Sequence, residues 1–446
     1  MLYTRNMSNK TLVDLDQWLA PHKSTIQARE KYISSKLKTV LSGKTPAEFA
    51  MGFLHFGLHK TDVGWTFREW APNATRMLLV GDFSDWKERE EFALNRGENG
   101  EWSINLPENS LRHRQKYKLR VYWSGGNGWR LPSYSNYVVQ DENSVDFSAV
   151  VWSPKTPYDW QYKTPPKPKV PLIYEAHIGM SSQEEKVASF SEFTTEVLPR
   201  IKESGYNTIQ LMAIAEHPYY GSFGYHVSNF FAVSSRFGTP NDFKKLVDVA
   251  HGMGLRVIID LVHAHAAKNE VEGLGNFAGD PTQYFKPTNH PEWDSRLFDY
   301  GKPEVLHFLA SNCRWWLDEY HVDGFRFDGV TSMIYHDHGL GKSFTSYDDY
   351  FRDDVDKDAL AYLRLANETI HTVRPDATTI AEEMSGFPGL GASTKDGGLG
   401  FDYRLQMGAP DLWIKTLKEK NDEDWDLGQL AYTLSSHRPE EKVINY

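Results

Sequence analysis

Residues 242–262, DFKKLVDVAHGMGLRVIIDLV, place a helix-like segment directly before a short strand apolar enough to be buried on both faces. The same order returns at 303–328, PEVLHFLASNCRWWLDEYHVDGFRFD, and earlier FTTEVLPRIKESG leads into TIQLMAI (208–214). Further candidate strands are LIYEAHIG (172–179), TTIAEEM (378–384), FDYRL (401–405) and KVINY (442–446). Strand, helix and strand repeated at this length mean a parallel α/β sheet, whose commonest long form is the closed (β/α)8 TIM barrel. Seven strands can be counted and no eighth, so the barrel is expected to be incomplete at its C-terminal end.

Upstream of the barrel the pattern changes twice. Residues 1–60 carry helical periodicity (SNKTLVDLDQWL, STIQAREKYISSKLKTVL) and read as an N-terminal helical segment. Residues 61–152 switch to short alternating runs, GWTFREWAP, RMLLVGDFSDW, EWSINLP and QKYKLRVYW, which read as strands of a β-sandwich. Residues 153–171, SPKTPYDWQYKTPPKPKVP, are too rich in proline for regular structure and form a linker. The barrel then occupies 172–446.

Composition narrows the function. The formal charge of −11 argues against nucleic acid, whose phosphates reward a basic face. No run approaches the roughly 20 apolar residues of a membrane span, and the N-terminus has no signal-peptide core. The single cysteine, Cys313, has no intramolecular partner, which fits a reducing compartment and a cytoplasmic protein. Aromatic residues make up 14% of the chain, with 14 tryptophans. Ring faces are what sugars stack on, although core packing uses them too.

In a barrel of this kind the active site lies at the C-terminal ends of the strands. The third strand ends in DLVHAH with Asp260, His263 and His265, the fourth in GFRFDG with Arg326 and Asp328, the fifth in IAEEM with Glu382 and Glu383. Arg326 and Asp328 are two apart and share a face, with Phe325 and Phe327 on the other. An arginine beside an inward aspartate keeps that carboxylate ionised, as a nucleophile requires, and a purely structural ion pair is the alternative. Glu382 and Glu383 cannot both face inward, and alternation does not choose between them. A second carboxylate close to the first could serve as proton donor, the pairing used by retaining glycosidases and transglycosylases. His263 and His265 could share a metal, but no further ligand pattern follows, so carbohydrate hydrogen bonding or a satisfied structural histidine is the better reading. The run YYGSFGYHVSNFFA around Tyr225 is either a packed loop or a stacking platform for a sugar.

These runs resemble a known family. QLMAIAEHPYYGSFGYHVSNFFA, SSRFGTPNDFKKLVDVAHGMGLRVIIDLVHAHAAKN, WDSRLFDYGKPEVLHFLASNCRWWLDEYHVDGFRFDGVTSMIYHDHG and TIAEEMSGFPG are similar to the α-amylase superfamily, specifically its eukaryotic-type glycogen and starch branching enzymes. GWTFREWAPNATRMLLVGDFSDW is similar to the carbohydrate-binding sandwich that precedes such barrels. The resemblance implies that Asp328 is the nucleophile, Glu382 the general acid/base, and Arg326 the partner that keeps the nucleophile ionised. It implies that Asp260 and His265 bind the sugar at the cleavage point and that Tyr225 stacks beneath it.

Two departures matter. Many amylases carry a calcium-binding asparagine where this chain has Ala264, which offers no side-chain oxygen, so no metal and no cofactor are expected. The family's remaining histidine and third catalytic aspartate would fall beyond Tyr446, so the 446-residue chain is expected to be inactive by itself. The implied function is 1,4-α-glucan branching: retaining cleavage of an α-1,4 linkage and transfer to a 6-hydroxyl, with glycogen, amylose or amylopectin as the polymer partner. The rivals are an amylase-type or debranching hydrolase with the same carboxylates, and a noncatalytic glucan-binding protein.

Overall fold

The computed structural model describes residues 10–141, 143–435 and 437–445. The first nine residues, part of the segment read as helical and leaderless, and Tyr446, the last residue of the seventh expected strand, lie outside the described residues. The chain forms two compact units: Ala47–Gly324, and the residues through Pro46 together with Phe325–Tyr446.

The larger unit begins with the sandwich. Gly57–Thr61, Gly64–Trp70, Glu101–Pro107 and Asn95–Arg96 form one antiparallel sheet. Ala74–Gly81, Lys116–Trp123, Phe147–Val150 and Val138–Gln140 form the second, with Gly126–Arg130 paired to Lys116–Trp123. Alternation does what the sequence promises: Trp65, Phe67, Trp102, Ile104 and Leu106 are buried between polar neighbours. The sandwich is joined to residues further along this unit. Gln283 Nε2 donates to the Trp70 carbonyl at 2.8 Å, and Arg130 donates to the carbonyls of Asn276 and Phe277. Glu69 is buried on its strand and accepts from Ser133 N, Ser133 Oγ and Trp70 N. The proline-rich stretch contains no helix or strand, and Asp248 pins it by accepting from Tyr158 Oη, Gln161 N and Tyr162 N.

Three parallel strands follow in this unit, Ile173–Ala176, Thr208–Leu211 and Arg256–Leu261, in that order. Every residue of the latter two is buried, because a barrel strand is covered by helices on its outer face and by packed side chains on its inner face. The helix Pro240–Gly252 starts with a capping box, Thr239 and Asp242 exchanging bonds, and proline at its first position. The helix Pro303–Tyr320 occupies the span its sequence implies. A ribbon that periodicity does not reveal, His265–Ala266, Arg296–Phe298 and Phe285–Asn289, projects after the third strand.

The other unit takes in Phe325–Phe327 of the strand Gly324–Phe327, then the strands Thr378–Glu382, Tyr403–Leu405 and Val443–Ile444, neighbours in chain order. The helix Lys357–Val373 precedes Thr378–Glu382. Between Thr378–Glu382 and Tyr403–Leu405 there is only a short 3-10 turn, Thr394–Asp396, where a regular repeat would place a helix. The architecture is a (β/α)8 barrel represented by seven strands among the described residues, preceded by a β-sandwich and a helical segment. The N-terminal helix Lys23–Leu41 lies against Lys357–Val373: Arg364 makes a two-pronged bond to Glu30 at 2.8 and 2.6 Å, and Tyr32 donates to Asp358. Arg29 donates to the Tyr350 carbonyl from the same helix.

Candidate active site

The smaller unit holds three of the expected residues together. Phe325 and Phe327 are fully buried and Phe327 packs edge-on to Phe401, which leaves Arg326 on the opposite face of the strand. Arg326 Nη1 donates to Asp328 Oδ1 at 2.8 Å, and Nη2 lies 3.1 Å from Glu382 Oε2. Gly329 N, at φ +63°, donates to the same Oε2 at 2.8 Å. Asp328 and Glu382 keep 15% and 20% of their side-chain surface open, which a reacting pair needs.

Glu383 points the other way. It is completely buried and accepts from Ser385 N, Gly386 N and Phe387 N at 2.8–3.0 Å, from Thr331 Oγ1 and from Ser385 Oγ. That donor set folds the segment after the strand around a single carboxylate. Successive side chains leave a strand on opposite faces, so once Glu383 is spent on the loop, Glu382 faces the strand end.

The larger unit holds the other three. Tyr225 Oη donates to Asp260 Oδ2 at 2.6 Å, and Asp260 is buried at the end of its strand. Tyr225 follows Gly224, whose φ of +92° and contact with the Ala213 carbonyl leave no room for a side chain. His265 is buried; burial first, then His226 and His290, pull its pKa down to about 3, so it is a neutral imidazole at physiological pH. It packs edge-on to His226 and lies 4.9 Å from Trp293, which is stacked on His290 at 3.9 Å. His263 goes to structure: Nε2 meets Asn312 Oδ1 at 2.9 Å, and Tyr300 Oη donates to its carbonyl. His226, Trp293 and His290 carry no sequence periodicity: the ribbon brings His290 and Trp293 to His265, and the Tyr225 loop brings His226.

A family model of carbohydrate-binding module 48 (isoamylase N-terminal domain) matches residues 55–135, and one of the alpha amylase catalytic domain matches 193–272. A pullulanase structure from Bacillus acidopullulyticus superposes with a TM-score of 0.65 over 88% of this chain and 51% of that one, at 19% identity, a likeness of fold. The 1,4-alpha-glucan-branching enzyme of Yarrowia lipolytica is 48% identical over 97% of this chain and 66% of its own length. That of Dictyostelium discoideum is 46% identical over 100% of this chain and 67% of its own. The chain therefore spans about two thirds of the length of these relatives. Identity this high, over alignments that take in nearly the whole chain, means that the chain belongs to the 1,4-alpha-glucan-branching enzyme family of the α-amylase superfamily.

Proposed function

We propose that this chain carries the cleavage and transfer machinery of a 1,4-α-glucan branching enzyme. The observation that carries the reading is one guanidinium, Arg326, touching both Asp328 and Glu382. Asp328 attacks the anomeric carbon of an α-1,4-linked glucan while Glu382 protonates the departing oxygen. Both contacts to Glu382 fall on Oε2, so Oε1 is the oxygen suited to carry that proton. The glycosyl-enzyme is then opened by a 6-hydroxyl of a second glucan segment, with Glu382 now taking the proton. Tyr225 stacks under the sugar, and Asp260 and neutral His265 hold its hydroxyls. Tyr225 and Asp260 are already bonded, so the loop and strand end enter the reaction pre-arranged.

The substrate class is a neutral glucan, glycogen or starch, in line with the sandwich over 55–135 and the net charge of −11. Residues 61–152 serve as the carbohydrate-binding domain, 153–171 as linker and 172–446 as the catalytic barrel; the expected helical preface over 1–60 is shorter than its bound, because Gly57–Thr61 is a strand paired with Gly64–Trp70 of the sandwich. Among the described residues no helix is long and apolar enough to cross a membrane, and one buried cysteine is consistent with a cytoplasmic location. The deciding experiment takes the chain extended to the length of its relatives and follows amylose with iodine while counting reducing ends. Branching lowers the colour and leaves the ends almost constant, whereas rising ends would assign a hydrolase.

A further inference from the structure

The segment that follows Glu382 and Glu383 is held from two sides, all within the smaller unit. Glu383 gathers the N–H groups of Ser385, Gly386 and Phe387 onto the end of the strand. The carbonyls of the same segment are fixed from outside it. Tyr350 Oη donates to the Ser385 carbonyl at 2.7 Å, and Arg438 Nε donates to the Gly386 carbonyl at 2.8 Å. Glu383 thus sets the shape of the segment, and the outer bonds set where that shape sits. Neither Tyr350 nor Arg438 has a part in the chemistry described above.

Arg438 lies between the helix Leu427–Ser435 and the strand Val443–Ile444, with its side chain largely buried. Its guanidinium sits over the rings of Tyr347 and Tyr350, 4.6 and 4.9 Å from their centres. Nη1 lies 3.3 Å from Oδ2 of Asp16, a buried residue that precedes the helix Lys23–Leu41 and also accepts from Tyr347 Oη at 2.6 Å. The backbone N–H of Arg438 donates to Glu441 Oε1 at 3.0 Å. Glu441 in turn takes both prongs of Arg404, on the strand Tyr403–Leu405, at 2.8 Å. A planar cation can stack on rings and bond at its edge at once, which a lysine cannot. Arg438 therefore carries the placement of a barrel strand and of the N-terminal segment to Gly386, close behind Glu382 in the chain.

We propose that Arg438, backed by Asp16, is a positioning residue for Glu382: it fixes the segment Ser385–Phe387 so that Glu382 Oε1 stays aimed at the departing glucan oxygen. This rests on the acid/base reading of Glu382 above. Arg326 and Gly329 both meet Oε2, so they leave the swing of Oε1 about that oxygen to the backbone that follows. Proton donation needs hydrogen-bond reach as the glycosidic bond breaks, and a misplacement of about 1 Å costs on the order of 10²-fold. Asp328 has its own bond to Arg326 on a different strand, so a loosened segment impairs protonation and spares the attack.

The test uses the chain extended to the length of its relatives and two donors, amylose and a long-chain α-maltooligosyl fluoride. Fluoride leaves with the bonding electron pair and needs no proton, so only amylose depends on the aim of Glu382. In Arg438→Met, kcat on amylose is expected to fall by about 10–10²-fold with KM nearly unchanged, while fluoride release falls only severalfold. Arg438→Lys, which keeps a donor for the Gly386 carbonyl, should recover part of the amylose rate. Asp16→Asn should show the same selective loss at smaller amplitude. Asparagine there still accepts from Trp18 N, so that variant decides the matter if Arg438→Met does not fold. Equal losses on both donors, or no loss on amylose, overturn the positioning role. Glu382→Gln in the same assay separates the two readings. If it is selective and the Arg438 and Asp16 variants are not, only the positioning role fails; if it too loses both donors equally, the acid/base reading fails with it.

Discussion

Arg326 Nη2 lies 3.1 Å from Glu382 Oε2, on a guanidinium whose Nη1 is already bonded to Asp328. One rigid planar cation therefore fixes the spacing of two carboxylates, which lysine, a single point charge on a flexible stem, does not do. Arg326→Lys is expected to lower the transfer rate by about 10²-fold, with the fold intact by circular dichroism. A variant within a few-fold of wild type would show that the bridge is incidental.

Asp328→Asn keeps the shape and removes the nucleophile. In a version extended to the length of the relatives, loss of at least about 10³-fold in both iodine-colour change and reducing-end release is expected. Substantial residual activity would move the nucleophile elsewhere.

Glu382 and Glu383 should fail in different ways. Glu382→Gln is expected to lose activity on glucans and recover part of it on a glucosyl donor whose leaving group needs no protonation. Glu383→Gln leaves buried backbone N–H groups without their carboxylate, so the loss should appear in stability, about 1–3 kcal/mol, seen as a lowered Tm. The reverse pattern would exchange the two assignments.

Gly224 sets Tyr225 against Asp260. A Cβ at Gly224 would lie 1.9 Å from the Ala213 carbonyl oxygen, and φ is +92° there. Gly224→Ala must move this loop, and a rise in KM and fall in kcat together are expected, because Tyr225 leaves Asp260. Normal kinetics would show that Tyr225 does not need that position.

Glu69 makes stability depend on pH. Burial pushes its pKa up to about 7, outweighing the bonds from Ser133 and Trp70 that favour the charged form. Between the ordinary value of 4.5 and about 7 the folded chain holds a proton that the unfolded chain has released. This contribution therefore weakens stability as pH rises through that window, by on the order of 3 kcal/mol above it. Glu69→Gln has no such proton to lose. The Tm of wild type minus that of Glu69→Gln should fall from pH 5 to pH 8, and a constant difference would refute the role given to burial.

The sequence by itself determined the class of fold and where chemistry could sit. Helix-then-strand runs such as 242–262 and 303–328 carry both periodicities within one short stretch, so strands and helices emerge close to their observed bounds. Alternation in GFRFD put Arg326 and Asp328 on one face because two phenylalanines claimed the other. Alternation could not choose between Glu382 and Glu383. Only the tertiary structure supplies what Glu383 bonds to, five donors from Thr331 and the segment Ser385–Phe387, brought in by chain folding. His263 and His265 were equivalent in sequence and parted in the structure because Asn312, 49 residues on, takes the first. The stack of His226, Trp293 and His290 around His265 and the pairing of Glu30 with Arg364 have no local signature at all. Local pattern reports which face of an element is apolar. Which partner meets that face depends on contacts between residues far apart in the chain, and those are fixed only when the elements pack.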